Sequence, residues 1–557
     1  MEGESITSRI GNDTITVAGS AILNGVVVNA DQDSDTINIS GSAKFQEGII
    51  NTGAGADDKI NINGNTEVSD TTLYLGDSAA SGGQSTDKAT LNVTENAVID
   101  DVTINAANSS GEQLMNFHQN GEAKVKSITG SKNKDVMDIA GDFTVTDWIF
   151  GNGGSDEISI HNGATAKFKA YMGNDRDTLT IDDATLKDSD INMGSGNDEI
   201  NINTGANLVN NKIYTDGGND IVNIRGGTFS ETKIGLGSDT NTVNIEKGAV
   251  FGDIDASLNA SNEYKTSIVS GPYVNSEDTI NIKDGATVQN AEIKTYQGKD
   301  TLNIDGSIVS SNVNMGLGDD EININAGAKL TQTNIKTGED LFEGSSDNNT
   351  VNIKGGTFSE AKIELGGLRS GGTNTVNIDN KVSGEFFGDQ DDSSYDKTSI
   401  TAHWGANAQD IVNIKNYSAV KNTKIELHGN DDQIHIGAHA TVEHSKLITG
   451  DQSDTLTIGE EAKVSNGTHM HLGFHNDTVQ IGNKATIDNS DIYMDDGDMS
   501  NPSTFGADTV RIGNNVTFQN YADVKGGQGD DEITIGNNLT LKSNAGIYGD
   551  WGEAGGG

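Results

Sequence analysis

Residues 177–202 read DTLTIDDATLKDSDINMGSGNDEINI. Asp177 opens a run in which polar and apolar residues alternate, and Asp198 opens a second one 21 residues later, DTLTI and then DEINI. Alternation with a period of two is the pattern of a half-buried strand. Between the two aspartates the inward candidates Leu179, Ile181, Ala184, Leu186, Ser189, Ile191 and Met193 fall into three short segments. Asp182 and Asp183, Lys187 and Asp188, and the glycine-rich stretch from Gly194 separate them. Such a unit is one coil of two or three short strands, too small to bury its apolar side alone.

The same unit extends in both directions. Strand-opening aspartates stand at Asp156, Asp177, Asp198 and Asp220, with gaps of 21, 21 and 22 residues, and again at Asp278, Asp300 and Asp320. Asp410, Asp432, Asp454 and Asp477 follow with gaps of 22, 22 and 23, then Asp508 and Asp531, while Asp13, Asp35 and Asp58 begin the series. Self-similarity at such a period is the signature of a solenoid, in which each repeat buries its apolar face against its neighbours. The expected fold is therefore all-β, an elongated parallel β-solenoid (β-roll or β-helix) of roughly twenty coils of about 22 residues. With strands about 4.8 Å apart it would be on the order of 100 Å long. Small residues at Ser189, Thr232, Ala291, Ala361, Ser445 and Ser490 recur two places before the last apolar pair, where a tight corner leaves little room.

A second-order repeat overlies the coils. Asp156 recurs as Asp278 and Asp198 as Asp320; GGTFSE at Gly226 returns at Gly355, TNTVNI at Thr240 returns at Thr373, and KTSI at Lys265 returns at Lys397. The chain reads as one continuous solenoid over 1–557, with degenerate coils over 1–154, five-coil blocks over 155–277 and 278–409, and further coils over 410–557. Each block ends in an overlong coil with FGD at Phe251 or Phe387, roughly residues 251–277 and 387–409. Loops on a repetitive scaffold are where binding concentrates. Tyr264, Tyr273, Tyr395 and Trp404 are the partner-contact candidates there.

Composition narrows the chemistry. The 557 residues carry a net charge of -47 and only 33% apolar residues, with 70 glycines, two prolines and no cysteine. Disorder would suit such numbers, but a core one coil wide needs few apolar residues when each is in register. Disulfides and thiol chemistry are excluded, and no apolar run is long enough to span a membrane. An acidic excess this large disfavours nucleic acid and anionic lipid as partners and favours cations.

The turn before several strands supplies a cation motif. GSGND ends at Asp198 with Gly194 and Gly196, Gly218 precedes Asp220, GLGSD ends at Asp239 with Gly235 and Gly237, and GLGDD holds Gly316, Gly318 and Asp320. GGQGDDEIT runs from Gly526, with Gly527, Gly529 and Asp531. Glycines let carbonyl oxygens converge and Asp adds hard anionic oxygens, together the ligands Ca²⁺ prefers. Asp156, Asp177, Asp300, Asp454 and Asp477 end less complete versions of the turn. The Gly526 stretch fits the nonapeptide G-G-x-G-x-D-x-U-x and resembles the repeats-in-toxin (RTX) calcium-binding β-roll. That resemblance implies Ca²⁺ held between consecutive turns. RTX rolls carry two such turns per coil and this chain carries one, so a single row of ions on one edge is expected. Unneutralised carboxylates ~4.8 Å apart lie well inside a Debye length of about 8 Å and would oppose stacking.

Other chemistries fit less well. Every acid has equivalents in neighbouring coils, whereas a glycosidase or lyase needs a singular cluster. Seven of the ten histidines lie between His428 and His475, among them His469 and His471, without a consistent place in the coil. They read as outward polar substitutions rather than a Zn²⁺ or pH-sensitive patch. Outward Asn recurs at Asn201, Asn223, Asn244, Asn281, Asn303, Asn323, Asn352 and Asn377. The array resembles the ice-binding RTX solenoid, but the turn residue varies among Ser195, Leu317 and Gln528, and amide hydrogen bonding between coils accounts for the row. Neither terminus reads as a polar cap, which points to head-to-tail self-association. The expectation is a non-enzymatic, calcium-stabilised structural protein, secreted or at a bacterial cell surface, assembling into a fibre, surface layer or matrix. A ligand-binding adhesin stalk, recognising glycan through the overlong coils, is the alternative.

Overall fold

A computed structural model describes residues 4–76, 88–109, 111–253, 266–271, 276–338, 347–367, 371–379, 386–387, 398–402, 407–495 and 506–550. Among these, every regular element is a β-strand. The chain is a parallel β-solenoid of about 21 turns of roughly 23 residues. It divides into two compact units, Met1–Gly271 and Pro272–Gly557, with the dividing point inside the first overlong coil.

In the first unit the coil beginning at Asp198 shows the plan. A four-residue strand, Glu199–Ile202, is followed by Asn207–Val209 and Lys212–Tyr214. The coil thus has three strands. Each pairs in parallel with its counterpart one turn on, Glu199 opposite Ile221, Asn207 opposite Thr228 and Lys212 opposite Lys233. Alternation sends Ile200, Ile202, Leu208 and Ile213 inward, all fully buried. Burial of one such side chain contributes roughly 1.5–3 kcal/mol, so regular stacking stabilises a chain of low apolar content. Gly205 (φ 83°) and Asn210 (φ 54°) turn the first two corners in the left-handed region.

The second unit repeats the plan, for example in Glu321–Ile324, Lys329–Thr331 and Asn334–Lys336. Outward amides join coil to coil in both units. In the first, Asn223 Nδ2 donates to Asn201 Oδ1 and Asn244 to Asn223, both at 3.1 Å. In the second, Asn303, Asn323, Asn352 and Asn377 form an unbroken series onto Asn281 at 2.9–3.1 Å. This is the inter-coil bonding expected of that row.

The coils over 58–135 depart from the pattern. Their strands lengthen to Ala89–Glu95 and Val98–Asn105, and the latter carries a register shift near Asp100 and Val102. Ala89 and Gln113 stand where other coils have the strand-opening Asp.

Candidate metal centre

Most described coils contain two buried polar corners, and they differ in how completely they are bonded. At the corner between the second and third strands, the Ser189 hydroxyl donates to Lys187 O at 2.9 Å and accepts the Phe168 N–H of the preceding coil at 3.1 Å. Ser445 does the same with Glu443 O and the Thr423 N–H. At Ser189 and Ser445 the recurring small residue is therefore a satisfied hydrogen-bonded link between coils as well as a packing requirement.

The strand-opening aspartates form the other ladder, and they point inward. Asp156, Asp177, Asp198, Asp220, Asp300, Asp320, Asp432, Asp454, Asp477 and Asp508 are all at most 3% exposed. In each, one carboxylate oxygen accepts the backbone N–H of the Asp one coil earlier: Asp156 N–H to Asp177 and Asp177 N–H to Asp198 at 2.7 Å, Asp300 N–H to Asp320 at 2.9 Å, Asp454 N–H to Asp477 at 2.8 Å. The other oxygen, Oδ2, has no hydrogen-bond partner in any of these ten residues. A buried polar atom without a partner costs about 1–3 kcal/mol, and more when charged. Here the deficit repeats turn after turn.

Burial drives the carboxyls upward and is the largest cause at every one of them. Asp198 is raised to about 6, Asp220 and Asp508 to about 7, Asp177, Asp300 and Asp454 to about 8, Asp156 and Asp432 to about 9, and Asp477 to about 10. Asp320 is also raised well above its usual value. The donated N–H opposes the shift, and at Asp156, Asp432 and Asp477 the aspartates of both adjoining coils reinforce it. Thr215, Thr295 and Thr449 stand near three of the carboxyls and lower their shifts. Two of those hydroxyls donate elsewhere, Thr295 to Met315 O and Thr449 to Leu472 O.

What surrounds the second oxygen is visible where an amide replaces the carboxylate. Asn241 holds the ladder place after Asp220, whose N–H it accepts at 3.0 Å, and its Nδ2 donates to Ser238 O at 3.2 Å. Gln113 Nε2 donates to Ser109 Oγ at 2.7 Å and Gly111 O at 2.9 Å, and Asn374 Nδ2 to Asp410 Oδ1 at 2.8 Å. The position is rich in acceptors. Oxygens of successive coils also converge there: a Cβ on Gly151 would lie 2.2 Å from Asp156 Oδ2 and 2.1 Å from Met172 O of the next coil. A void of about 10 Å³, roughly one water in size and lined mostly by apolar side chains such as Met115, Met137, Ile149 and Met172, opens beside Asp135 and Asp156.

The turns that close the coils stack as well, with Asn174 bridged to Ser195 and Ser195 to Gly217. Their glycines are required by close approach as much as by φ. A Cβ on Gly196 would lie 1.7 Å from Asp175 O, and one on Gly218 (φ 124°) 1.5 Å from Gly196 O. Gly194, Gly237, Gly316, Gly318 and Gly529 lie in such stacked turns, each against a neighbouring coil, and Gly527 ends the strand Asp523–Gly527 against Asp495 of the preceding coil. Gly235 instead ends the strand Lys233–Gly235, against the Tyr214 ring. Asp239 is an outer turn residue whose Oδ2 accepts the Gly218 N–H at 3.1 Å, and Asn241 takes the ladder place in that coil. Asp531 accepts the Asp508 N–H at 3.1 Å, continuing the ladder. Tyr264, Tyr273, Tyr395 and Trp404 lie outside the described residues.

No family model matches the chain, and no curated protein matches it by sequence. Among solved structures it is similar to a hyperactive, Ca²⁺-dependent, β-helical antifreeze protein from an Antarctic bacterium, with 17% identity over 77% of this chain and 84% of that one and a TM-score of 0.23. It is also similar to a TibA fragment hyper-glycosylated by TibC, with 15% identity over 74% of this chain and 98% of that one and a TM-score of 0.22. At these scores neither likeness carries an argument about function.

Proposed function

We propose that this is a non-enzymatic structural β-solenoid whose coils are clamped by Ca²⁺ along the buried aspartate ladder. One observation carries the reading: the ladder position is ringed by acceptors, its amide occupants donate into them, and its carboxylate occupants present a second acceptor with no donor, Asp220 beside the Thr215 hydroxyl excepted. A cation resolves that conflict. Hard oxygens from carboxylates and main-chain carbonyls, without nitrogen or sulfur, suit Ca²⁺. Asp156, Asp177, Asp198, Asp220, Asp300, Asp320, Asp432, Asp454, Asp477 and Asp508 are the residues that would hold it, aided by carbonyls of the stacked turns. Bound there, Ca²⁺ supplies the positive charge that lets adjacent carboxylates remain ionised side by side.

The role that follows is mechanical, at the cell surface or outside the cell, where extracellular calcium modules work at about 10⁻⁴–10⁻³ M. End-to-end self-association into a fibre, layer or matrix extends the reading, and electron microscopy with and without Ca²⁺ tests it. The clamp itself is tested by circular dichroism melts in Ca²⁺ and in excess EGTA, and identical melts would rule it out. A ligand-binding stalk is the second reading. Support for it comes from an exposed aromatic cluster of Trp148, Phe150 and Tyr171 in the first unit, where Trp148 stacks on Phe150 with ring centroids 6.0 Å apart. Sugar rings pack on such platforms, and a glycan array comparing the protein with its W148A variant separates the two readings.

A further inference from the structure

The outward amide row of the first unit is interrupted once in the middle. It runs through Asn61, Asn92 and Asn116, stops at Asp138, Ser159 and Thr180, and resumes at Asn201. At the interruption two imidazoles meet the aspartate. His118 Nε2 lies 2.9 Å from Asp138 Oδ2, and His161 Nε2 bonds Asp138 Oδ1. The three residues come from three successive coils.

Register explains the meeting. Phe117 pairs with Ile139 and Ile139 with Ile160, which places His118, Ala140 and His161 next in line along the same face. Two coils separate the histidines, about 9.6 Å at the backbone. Ala140 in the middle coil has no side chain beyond Cβ, so both rings lean over it, and their centroids come to 6.1 Å. Asp138, two residues before Ala140 and on the same outward face of the middle strand, reaches between them. The three ligand atoms all lie within 4.8 Å of one another, the one such group among the described residues.

We propose that His118, Asp138 and His161 bind a late first-row divalent cation, Zn²⁺ foremost, as a three-ligand site with its remaining position open to solvent. Two neutral imidazoles and one carboxylate are the donor set such ions prefer. Ligands about 2.0–2.1 Å from a tetrahedral ion stand roughly 3.4 Å apart, so small side-chain rotations close the set. The site differs in ligand type from the oxygen-only ladder and faces the opposite side of the strand. The ion would staple three coils where the amide row is missing, and the inference does not rest on the calcium reading.

Co²⁺ titration of the full chain, kept in saturating Ca²⁺, tests it. The expected result is the intense visible absorption of low-coordinate Co²⁺ at one equivalent per chain, bleached by Zn²⁺. The outward-facing variants H161Q and D138N should lose at least 10–100-fold in affinity, the cost of losing even a supporting group at a metal site. An unchanged circular dichroism spectrum would show that the variants fold. No absorption band in the parent protein, or an equal band in parent and variants, overturns the proposal and leaves the carboxylate as a hydrogen-bonded bridge between two imidazoles.

Discussion

The coil that opens at Asp198 and the coil that opens at Asn241 perform the same act with different consequences. Both side chains accept the N–H of the coil before, Asp177 to Asp198 at 2.7 Å and Asp220 to Asn241 at 3.0 Å. They differ in the second atom. On Asn241 it is an amide nitrogen that donates to Ser238 O, and on Asp198 it is an oxygen without a partner. One fold thus tolerates either a residue complete in itself or one that needs a proton or a cation. Among the described residues aspartate holds that place more often than an amide does, so the proposed clamp would act on most coils.

Under the proposed calcium clamp, chelation should produce the largest effect, because it would act on the aspartate coils together and leave the amide coils alone. A site saturated 100-fold above its dissociation constant contributes about 2.7 kcal/mol, and several such sites should lower the melting temperature by tens of degrees on EGTA treatment. Scanning calorimetry checks this, and a melt insensitive to chelation would falsify the distinction between the two kinds of coil.

The pH dependence sharpens it. Burial raises the ladder carboxyls above their ordinary value of 3.8, to about 6 at Asp198 and about 10 at Asp477. The folded state therefore binds more protons, so the calcium-free protein has its full stability below about pH 4 and loses it as pH rises through the folded values. Saturating Ca²⁺ should invert the trend, since the ion needs deprotonated ligands. Urea melts at pH 5 and pH 8.5, with and without Ca²⁺, should show opposite slopes; parallel slopes would mean that neither proton nor cation occupies the ladder.

Single exchanges convert one kind of coil into the other. Asp177→Asn keeps the acceptor for the Asp156 N–H and adds a donor, so above about pH 8, where the Asp177 carboxyl has lost its proton, it should stabilise the calcium-free protein by about 1–3 kcal/mol while removing calcium ligation. Asn241→Asp should do the reverse. Equal effects of each exchange in Ca²⁺ and in EGTA would show that the second atom is immaterial. The smallest change is expected on the outer face, where Asn323→Ala removes amide bonds to Asn303 and Asn352. It should cost about 1 kcal/mol irrespective of calcium, and a calcium-dependent cost would tie the outer row to the inner one.

Much of this was legible in the chain before it was folded. The repeat of Asp177 and Asp198, the alternation in DTLTI and DEINI, and the glycine turns specify strand, corner and coil length, because each is a local pattern read over a few residues. At Gly235, Gly237 and Asp239 the GLGSD motif supplies a turn Asp, while the ladder place falls two residues on, at Asn241. Aligning TNTVNI with DTINI by its alternation, rather than by its acidic residue, would have located it. The satisfied corner of Ser189 and Ser445 was visible as small residues but not as hydrogen bonds.

Periodicity by itself determined that this chain forms stacked parallel coils, with an acid at the start of most first strands, because a narrow core can be buried only when apolar residues recur in register. Tertiary structure alone decided that the acid turns inward beneath the N–H of the preceding coil with one oxygen unpaired. It also decided that His118, Asp138 and His161 converge. Residues some twenty positions apart become neighbours about 4.8 Å apart only once the coils are superposed, and that register is a property of the assembled stack.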